Sequence, residues 1–401
     1  MEPWRRNLYV TWFTQILSLA GFGFMLPFMP FFIQEIGVTD PDAIRRWTGI
    51  TASITAITMG AVAPLWGILA DRFGRKLMIL RSMGSGAIIL FAMSFVRSIE
   101  GMVILRLIQG LLTGTITAAA TLIAAGTPTE KLGFALGFLS SSTFIGISIG
   151  PLIGGIVGEF AGYRVAFRIG AAILVGAFVM VLVVIRDVRV HARYTKKKRT
   201  RRVDPEVRMV FTLVFVMIFA IRFTRSLPVS FVPLRIQEIL GTIEGASVIT
   251  GVISSLVGLA TAVAGLTIAR LGDRIDKISL IARLLVVSAL LSFPIFFTRG
   301  IIGFALFYVL AALGVGGVEP MIQSIVSEHT TPERRGSTFG LLTLTGSFGW
   351  FSAPLVASAI SIGAGIRWIY LAFALCLGGG AMIVFLSRFL IRRFRASERT
   401  R

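Results

Sequence analysis

Apolar residues in this chain come in long blocks separated by short polar connections. Twelve blocks can be drawn, at about 8–33, 47–70, 77–97, 101–126, 134–158, 163–186, 207–233, 246–270, 278–298, 301–326, 336–362 and 366–390. Each holds roughly 20 residues or more, the length an α-helix needs to cross the hydrocarbon core of a bilayer. The pattern predicts an all-α membrane protein of twelve transmembrane helices. The connections leave no room for a soluble catalytic domain, so no enzyme is expected. Arg5 and Arg6 precede the first block. That block is too long for the apolar region of a secretory signal and no small-residue cleavage site follows it, so a cleaved leader is not expected.

Composition agrees with the pattern. Of 401 residues, 55% are hydrophobic, and the mean hydropathy is +0.85; a soluble domain cannot carry that average, because its surface must be polar. The net charge of +21 suggests nucleic acid until the charges are placed. With both termini inside, the inward segments hold 29 Lys and Arg and the outward segments 8. That bias is the positive-inside rule and sets the orientation, with both termini cytoplasmic. The densest stretch, HARYTKKKRTRR at 191–202, reads as a cytoplasmic loop facing anionic lipid, and no nucleic-acid partner is expected. Cys376 stands alone, and His191 and His329 fall in connections, so neither a disulfide nor a metal site nor a cofactor is expected.

The chain is written twice. Residues 187–206 form the longest polar stretch and divide a six-helix bundle at 1–186 from a second at 207–401. GILADRFGRKLMIL (67–80) falls over ARLGDRIDKISLIA (269–282), so Asp71 meets Asp273, Arg72 meets Arg274 and Arg75 meets Lys277; Arg81 then falls on Arg283. TEKLGFALGF (129–138) lies over PERRGSTFGL (332–341). Repeats of this size in an all-helical membrane chain are typical of secondary transporters, which bind substrate near the midplane where the repeats meet.

Four motifs then carry a resemblance. GILADRFGRK (67–76), with Gly67, Asp71, Arg72, Gly74, Arg75 and Lys76, resembles the loop 2–3 signature of the major facilitator superfamily. LRLIQG (105–110), with Arg106, Gln109 and Gly110, resembles that family's helix-4 motif. In the fifth block Gly137, Gly146, Gly150-Pro151 and Gly154-Gly155 are spaced as in its antiporter branch. GFGFMLPFMP (21–30) resembles the first helix of the twelve-helix drug:proton antiporters. The resemblance covers the whole chain. It implies the major facilitator fold and alternating access, with a cavity lined by helices 1, 4, 7 and 10. It also implies that Asp71 faces the start of helix 11, near Gly336–Thr338, as a latch on the cytoplasmic side.

The fifth block has a physical logic of its own. Gly146, Gly150 and Gly154 are four apart and stack on one helix face. A bare face lets another helix approach closely, replacing the hydrophobic drive that lipid removes. Pro151 frees a carbonyl and should kink the helix. By resemblance the face is a seam between halves; by packing alone it is an ordinary small-residue contact. In the second half the same spacing reads Gly340, Gly349, Ala353-Pro354 and Ala357-Ser358, so most of the glycines are gone.

Charges inside the blocks need a reason, since each costs about 2.5–3.5 kcal/mol or more at the bilayer centre. Glu319, in LGVGGVEPMIQ of the tenth block, is the one carboxylate well inside a block, with Pro320 after it and Gln323 one turn on. An apolar setting favours the protonated carboxyl, which suits a proton carrier; a fixed ion pair is the competing reading. Arg222 and Arg225 lie three apart in the seventh block and Arg106 lies in the fourth. Guanidinium groups bind carboxylate and phosphate bidentately, which favours an anionic or amphipathic substrate over a purely cationic one. Arg106 can instead brace its helix and Arg225 can snorkel. The first block has Gln15 in its body, where the resembling drug transporters often carry an acid. Phe24, Phe28, Phe31 and Phe32 offer either an apolar lining, Phe28 foremost, or a lipid-facing surface.

Together these features imply a proton-coupled exporter of amphipathic or drug-like compounds in the inner membrane. Its partners would be the small-molecule substrate, protons and membrane lipid, and it would work as a monomer. A carrier of one organic anion or lysophospholipid is the alternative, and a non-transporting sensor the alternative from another class. The orientation is open to test: a single cysteine placed within 191–202 will react with a membrane-impermeant maleimide only from the cytoplasmic side, and labelling from outside would reverse the topology.

Overall fold

The computed structural model describes residues 2–186, 205–272, 275–328, 330 and 332–399. The basic stretch 191–202, Asp273, Arg274 and His329 lie outside the described residues, as do the side chain of Asp71 and the surroundings of Gly336 and Gly340. Every regular element among the described residues is helical. Twelve spans are long and apolar enough to cross a membrane: α1 (Trp4–Glu35), α2 (Pro41–Ala70), α3 (Arg75–Met93), α4 (Ile99–Gly126), α5 (Leu132–Ala161), α6 (Tyr163–Val184), α7 (Val214–Leu240), α8 (Ala246–Ile268), α9 (Lys277–Phe297), α10 (Ile301–Glu328), α11 (Leu341–Ala364) and α12 (Arg367–Leu386). The helix starts follow from sequence: Asp40, Ser98 and Asp276 each accept a backbone N–H three residues on, at 2.7, 3.3 and 3.1 Å, satisfying a donor that the helix leaves free.

Packing divides the chain into two compact units. One is built from Met1–Lys196 with Ser230–Leu259, the other from Lys197–Val229 with Ala260–Arg401. Packing thus groups the end of α7 and the first half of α8 with the first six spans, whereas the polar stretch in the sequence suggested a division at 187–206. In the first unit α1 lies against α5 and α6, α2 against α4, and α3 against α6 and α4. In the second, α7 lies against α11 and α12, and α9 against α12 and α10. The repeat seen in sequence therefore returns as repeated neighbours.

Four spans are interrupted. A 3-10 turn at Leu26–Phe28, holding Pro27, separates Pro3–Gly23 from Met29–Glu35 in α1. In α7 the helix stops at Val229, just past Pro228, and resumes at Val232. Ile99–Leu112 and Thr115–Gly126 of α4 are separated at Gly114, whose φ of 125° is open to glycine and costly for side chains. In α10 the break falls at Gly317. The other eight spans run on, α9 tightening into 3-10 form at its end. The interrupted spans are the first, fourth, seventh and tenth: those the family resemblance assigns to the cavity, and the first of each group of three.

The stacked glycines of α5 face α1. A Cβ built on Gly150 would lie 2.8 Å from the carbonyl oxygen of Ala20, and one on Gly146 would lie 2.7 Å from Cβ of Leu19. Gly154 meets the backbone of Phe24. The glycine face thus receives a helix of its own half. The flank of the same helix receives α8: Ser255 donates to the carbonyl of Ser148, Gly251 lies against the Pro151 carbonyl, and Gly155 against that of Ser247. On α4, Gly110 has no room for a side chain beside Thr55 and Thr58 of α2, whose hydroxyls donate to the Arg106 and Leu107 carbonyls at 2.9 and 3.4 Å. Backbones approach closely here because lipid supplies no other drive for association.

The contacts at Gly150 are with backbone, which cannot swing aside. Gly150→Leu should therefore abolish transport and cost about 1–3 kcal/mol or more, as overpacking does, while the chain still inserts; thermal unfolding in detergent and flux in proteoliposomes measure both. Wild-type flux in that variant would remove the α1–α5 contact from the mechanism.

Candidate functional site

Glu319 is paired with both arginines of α7. It accepts from Nε and Nη2 of Arg222 at 3.1 and 2.7 Å through Oε1, and from Nη1 of Arg225 at 3.2 Å through Oε2. Arg222 and Arg225 share one face of α7 because they are three residues apart. The break at Gly317 places Glu319 in the first turn of the helix Val318–Glu328, where a negative charge meets the positive end of the helix. Gly316 and Gly317 pack on α8, with built Cβ atoms 2.8 Å from the Thr261 carbonyl oxygen and 2.7 Å from Cβ of Ile268. The side chains of Glu319, Arg222 and Arg225 keep 18%, 28% and 37% exposure. The triad carries one net positive charge, and its arginines can shift from carboxylate to another anion without losing donors. Gln323 is exposed on the following turn.

The first unit holds a second polar group. Arg106 is 5% exposed and donates from Nε to the Thr51 carbonyl at 3.1 Å and from Nη1 to Gln109 Oε1 at 2.7 Å. It braces α4 against α2. Gln15 is buried and donates to Thr115 Oγ1 at 3.3 Å, a hydroxyl it shares with Ser18 at 3.4 Å. Thr115 opens the second piece of α4. Phe28 is fully buried, as are Phe24, Phe31 and Phe32 at 1% or less, which removes the lipid-facing reading. Sequence reading missed Arg81. It lies inside α3, its guanidinium 3.4 Å from the ring centroid of Trp66. The indole of Trp66 donates to the Leu111 carbonyl beside the α4 break at 2.8 Å. A tryptophan four residues before the end of α2 was the available signal.

The motif residues separate by role. Gly74 has a φ of 95° and alone joins the helix that ends at Phe73 to the one that starts at Arg75. Lys76 donates to the Leu182 carbonyl at 2.8 Å, in the last turn of α6, where a cation meets unpaired carbonyls and the negative helix end. Arg75 is partly buried, and Arg72 lies 5.3 Å from the ring of Phe73. Gly67 and Gly137 have open space where a Cβ would stand.

The profile of the Major Facilitator Superfamily matches residues 11–218 and 214–400. The chain belongs to that superfamily. It is a multi-pass membrane transporter and not an enzyme. It is similar to multidrug resistance protein MdtG of Salmonella arizonae, with 32% identity over 373 residues, 92% of this chain and 91% of that one. MdtG of Salmonella typhimurium is 32% identical over 370 residues, with the same shares. Among solved structures, a bacterial homologue of the human lysosomal transporter Spinster aligns with a TM-score of 0.78 at 16% identity, covering 97% of both chains. The human organic anion transporter MFSD10 aligns with a TM-score of 0.69 at 16% identity, covering 96% of this chain and 100% of that one. These structures share the fold of this superfamily member.

Arg222 supplies two of the three hydrogen bonds to Glu319, including the shortest. Arg222→Ala should therefore lower thermal stability more than Arg225→Ala does, by about 1.5–3 kcal/mol for the charge-assisted contact removed. Melting of both purified variants compares them, and an equal or reversed order would show that the bonds to Glu319 do not set the stability of this region.

Proposed function

We propose that this protein exports amphipathic, drug-like compounds across the cytoplasmic membrane in exchange for protons, working as a monomer with both termini in the cytoplasm. The observation that carries the reading is the ion triad: one carboxylate, in the first turn of a half-helix of α10, holding two arginines of α7. The likeness to MdtG, named a multidrug resistance protein, supports the substrate class. Glu319 is the proton carrier. Protonation removes the charge to which both arginines donate, so one proton changes the partners of two cations. Gln323, Gln15 and Phe28 belong to the substrate path, and Arg106 with Gln109 steadies α4 beside it. Asp71, Arg72, Arg75 and Lys76 serve the cytoplasmic latch, and the α5 glycines permit the rocking.

The two-to-one excess of arginine over carboxylate favours a second reading, a carrier of organic anions. An acidic substrate competes with Glu319 for the same donors, so its binding goes with proton uptake at Glu319 and the two travel together. A neutral amphipath makes no such demand, and proton and substrate then move in opposite directions. The sign of the response to an imposed pH gradient separates these readings in proteoliposomes.

Glu319→Gln should abolish uphill, pH-driven flux and leave substrate exchange at least partly alive. Undiminished pH-driven flux would make the triad a structural ion pair. Arg222→Ala should weaken binding of anionic compounds about ten- to a hundredfold, against a small effect on neutral ones. Equal losses for both would take Arg222 out of substrate recognition.

A further inference from the structure

α11 crosses α7 beside the triad, and its buried face there is Gly346 and Gly349. The two glycines do different things. A Cβ on Gly349 would stand 2.5 Å from the carbonyl oxygen of Phe219 and 2.9 Å from the backbone nitrogen of Phe223. These are main-chain atoms of a packed helix, so Gly349 sets how closely α11 and α7 approach. A Cβ on Gly346 would stand 2.5 Å from Cδ of Arg222 and 2.8 Å from both its Nε and Nη1. No main-chain atom is among its three nearest neighbours. The atoms in the way are the end of one flexible side chain, the same end that reaches Glu319 through Nε and Nη2.

We infer that Gly346 is a positioning residue for the triad: its missing side chain is the passage through which the Arg222 guanidinium reaches Glu319. A methyl group at 346 pushes Arg222 off the carboxylate and leaves Glu319 to Arg225. The first atoms to give way belong to Arg222, whose side chain can yield, and none of the three nearest is backbone. Among the glycines whose surroundings are described, the three nearest atoms to a built Cβ include Arg222 at Gly346 and do not include Arg225. The two arginines are therefore inequivalent. Arg222 is held by shape as well as by charge, and Arg225 by charge.

The functional part of this inference rests on the proposed proton role of Glu319. The structural part does not, and two measurements keep them apart. The first is a thermal cycle on purified protein with Gly346→Ala, Arg222→Ala and the double variant. Each single change should lower the melting temperature, and the double variant should melt no lower than Arg222→Ala alone, because without the long side chain nothing opposes the methyl group. Gly349→Ala serves as the packing control, and its loss should add fully to that of Arg222→Ala. Additive losses for Gly346→Ala would overturn the inference. Should Gly346→Ala fail to fold, recovery of folded protein in the double variant supports the inference, and no recovery overturns it.

The second measurement is the pH profile of flux. Gly346→Ala should move its midpoint in the same direction as Arg222→Ala, with no further movement in the double variant. A midpoint that Arg222→Ala moves and Gly346→Ala leaves in place would also overturn the inference. A profile unchanged in Glu319→Gln would instead remove the proton role and leave Gly346 to be judged by the thermal cycle.

Discussion

Lipid gives helices no reason to hide leucine from their surroundings, so helices in a bilayer must hold each other by contact. The architecture follows from that constraint. Where two spans must meet closely, this chain removes side chains: Gly150 and Gly154 on α5 for α1, Gly110 on α4 for α2, Gly349 on α11 for α7. Where they must also stay in register, it adds hydroxyl donors, as with Thr55 and Thr58 on the carbonyls of α4 and Ser255 on that of Ser148. The apolar bulk that dominates the composition fills space. It does not select partners.

The one intramembrane carboxylate enters this frame where the backbone has been opened. The breaks at Gly114 and Gly317 expose helix ends in mid-span, and polar groups collect beside both. Thr115 with Gln15 and Ser18 lies at one, and Glu319 with its arginines at the other. An interrupted helix is a partial solvent. It offers oriented dipoles where lipid offers none, and it lets a carboxylate sit deep in a span with partners supplied in advance. The breaks in α1 and α7 lie nearer their C-terminal ends and hold Pro27 and Pro228. The two kinds of interruption thus recur in corresponding places of the two halves.

The twelve spans, the repeat and the stacked glycines could all be read from residue order, because each is a matter of composition and local spacing. Arg222, Arg225 and Glu319 could be named as intramembrane charges, but their pairing could not. The partners are 94 and 97 residues apart, and a single sequence holds no distance between them. For Phe24, Phe28, Phe31 and Phe32 residue order left an apolar lining and a lipid-facing surface both open; all four rings are buried, and Phe28 itself lies in the 3-10 turn at Leu26–Phe28. Arg81 could be matched with Arg283 in the repeat, but only packing shows its guanidinium over Trp66. Gly346 was unremarked because its meaning lies in the length of a side chain on another helix.

The corner at Gly74 has a mechanical meaning. One residue, in a conformation that side chains resist, connects a 33-residue helix to a 19-residue helix. No residue is left over between the two helices, so the directions of α2 and α3 meet at one set of backbone angles, and Lys76 ties the same corner to the end of α6. A side chain at position 74 would strain that corner, so the loop 2–3 motif joins two spans as well as placing charge at their ends.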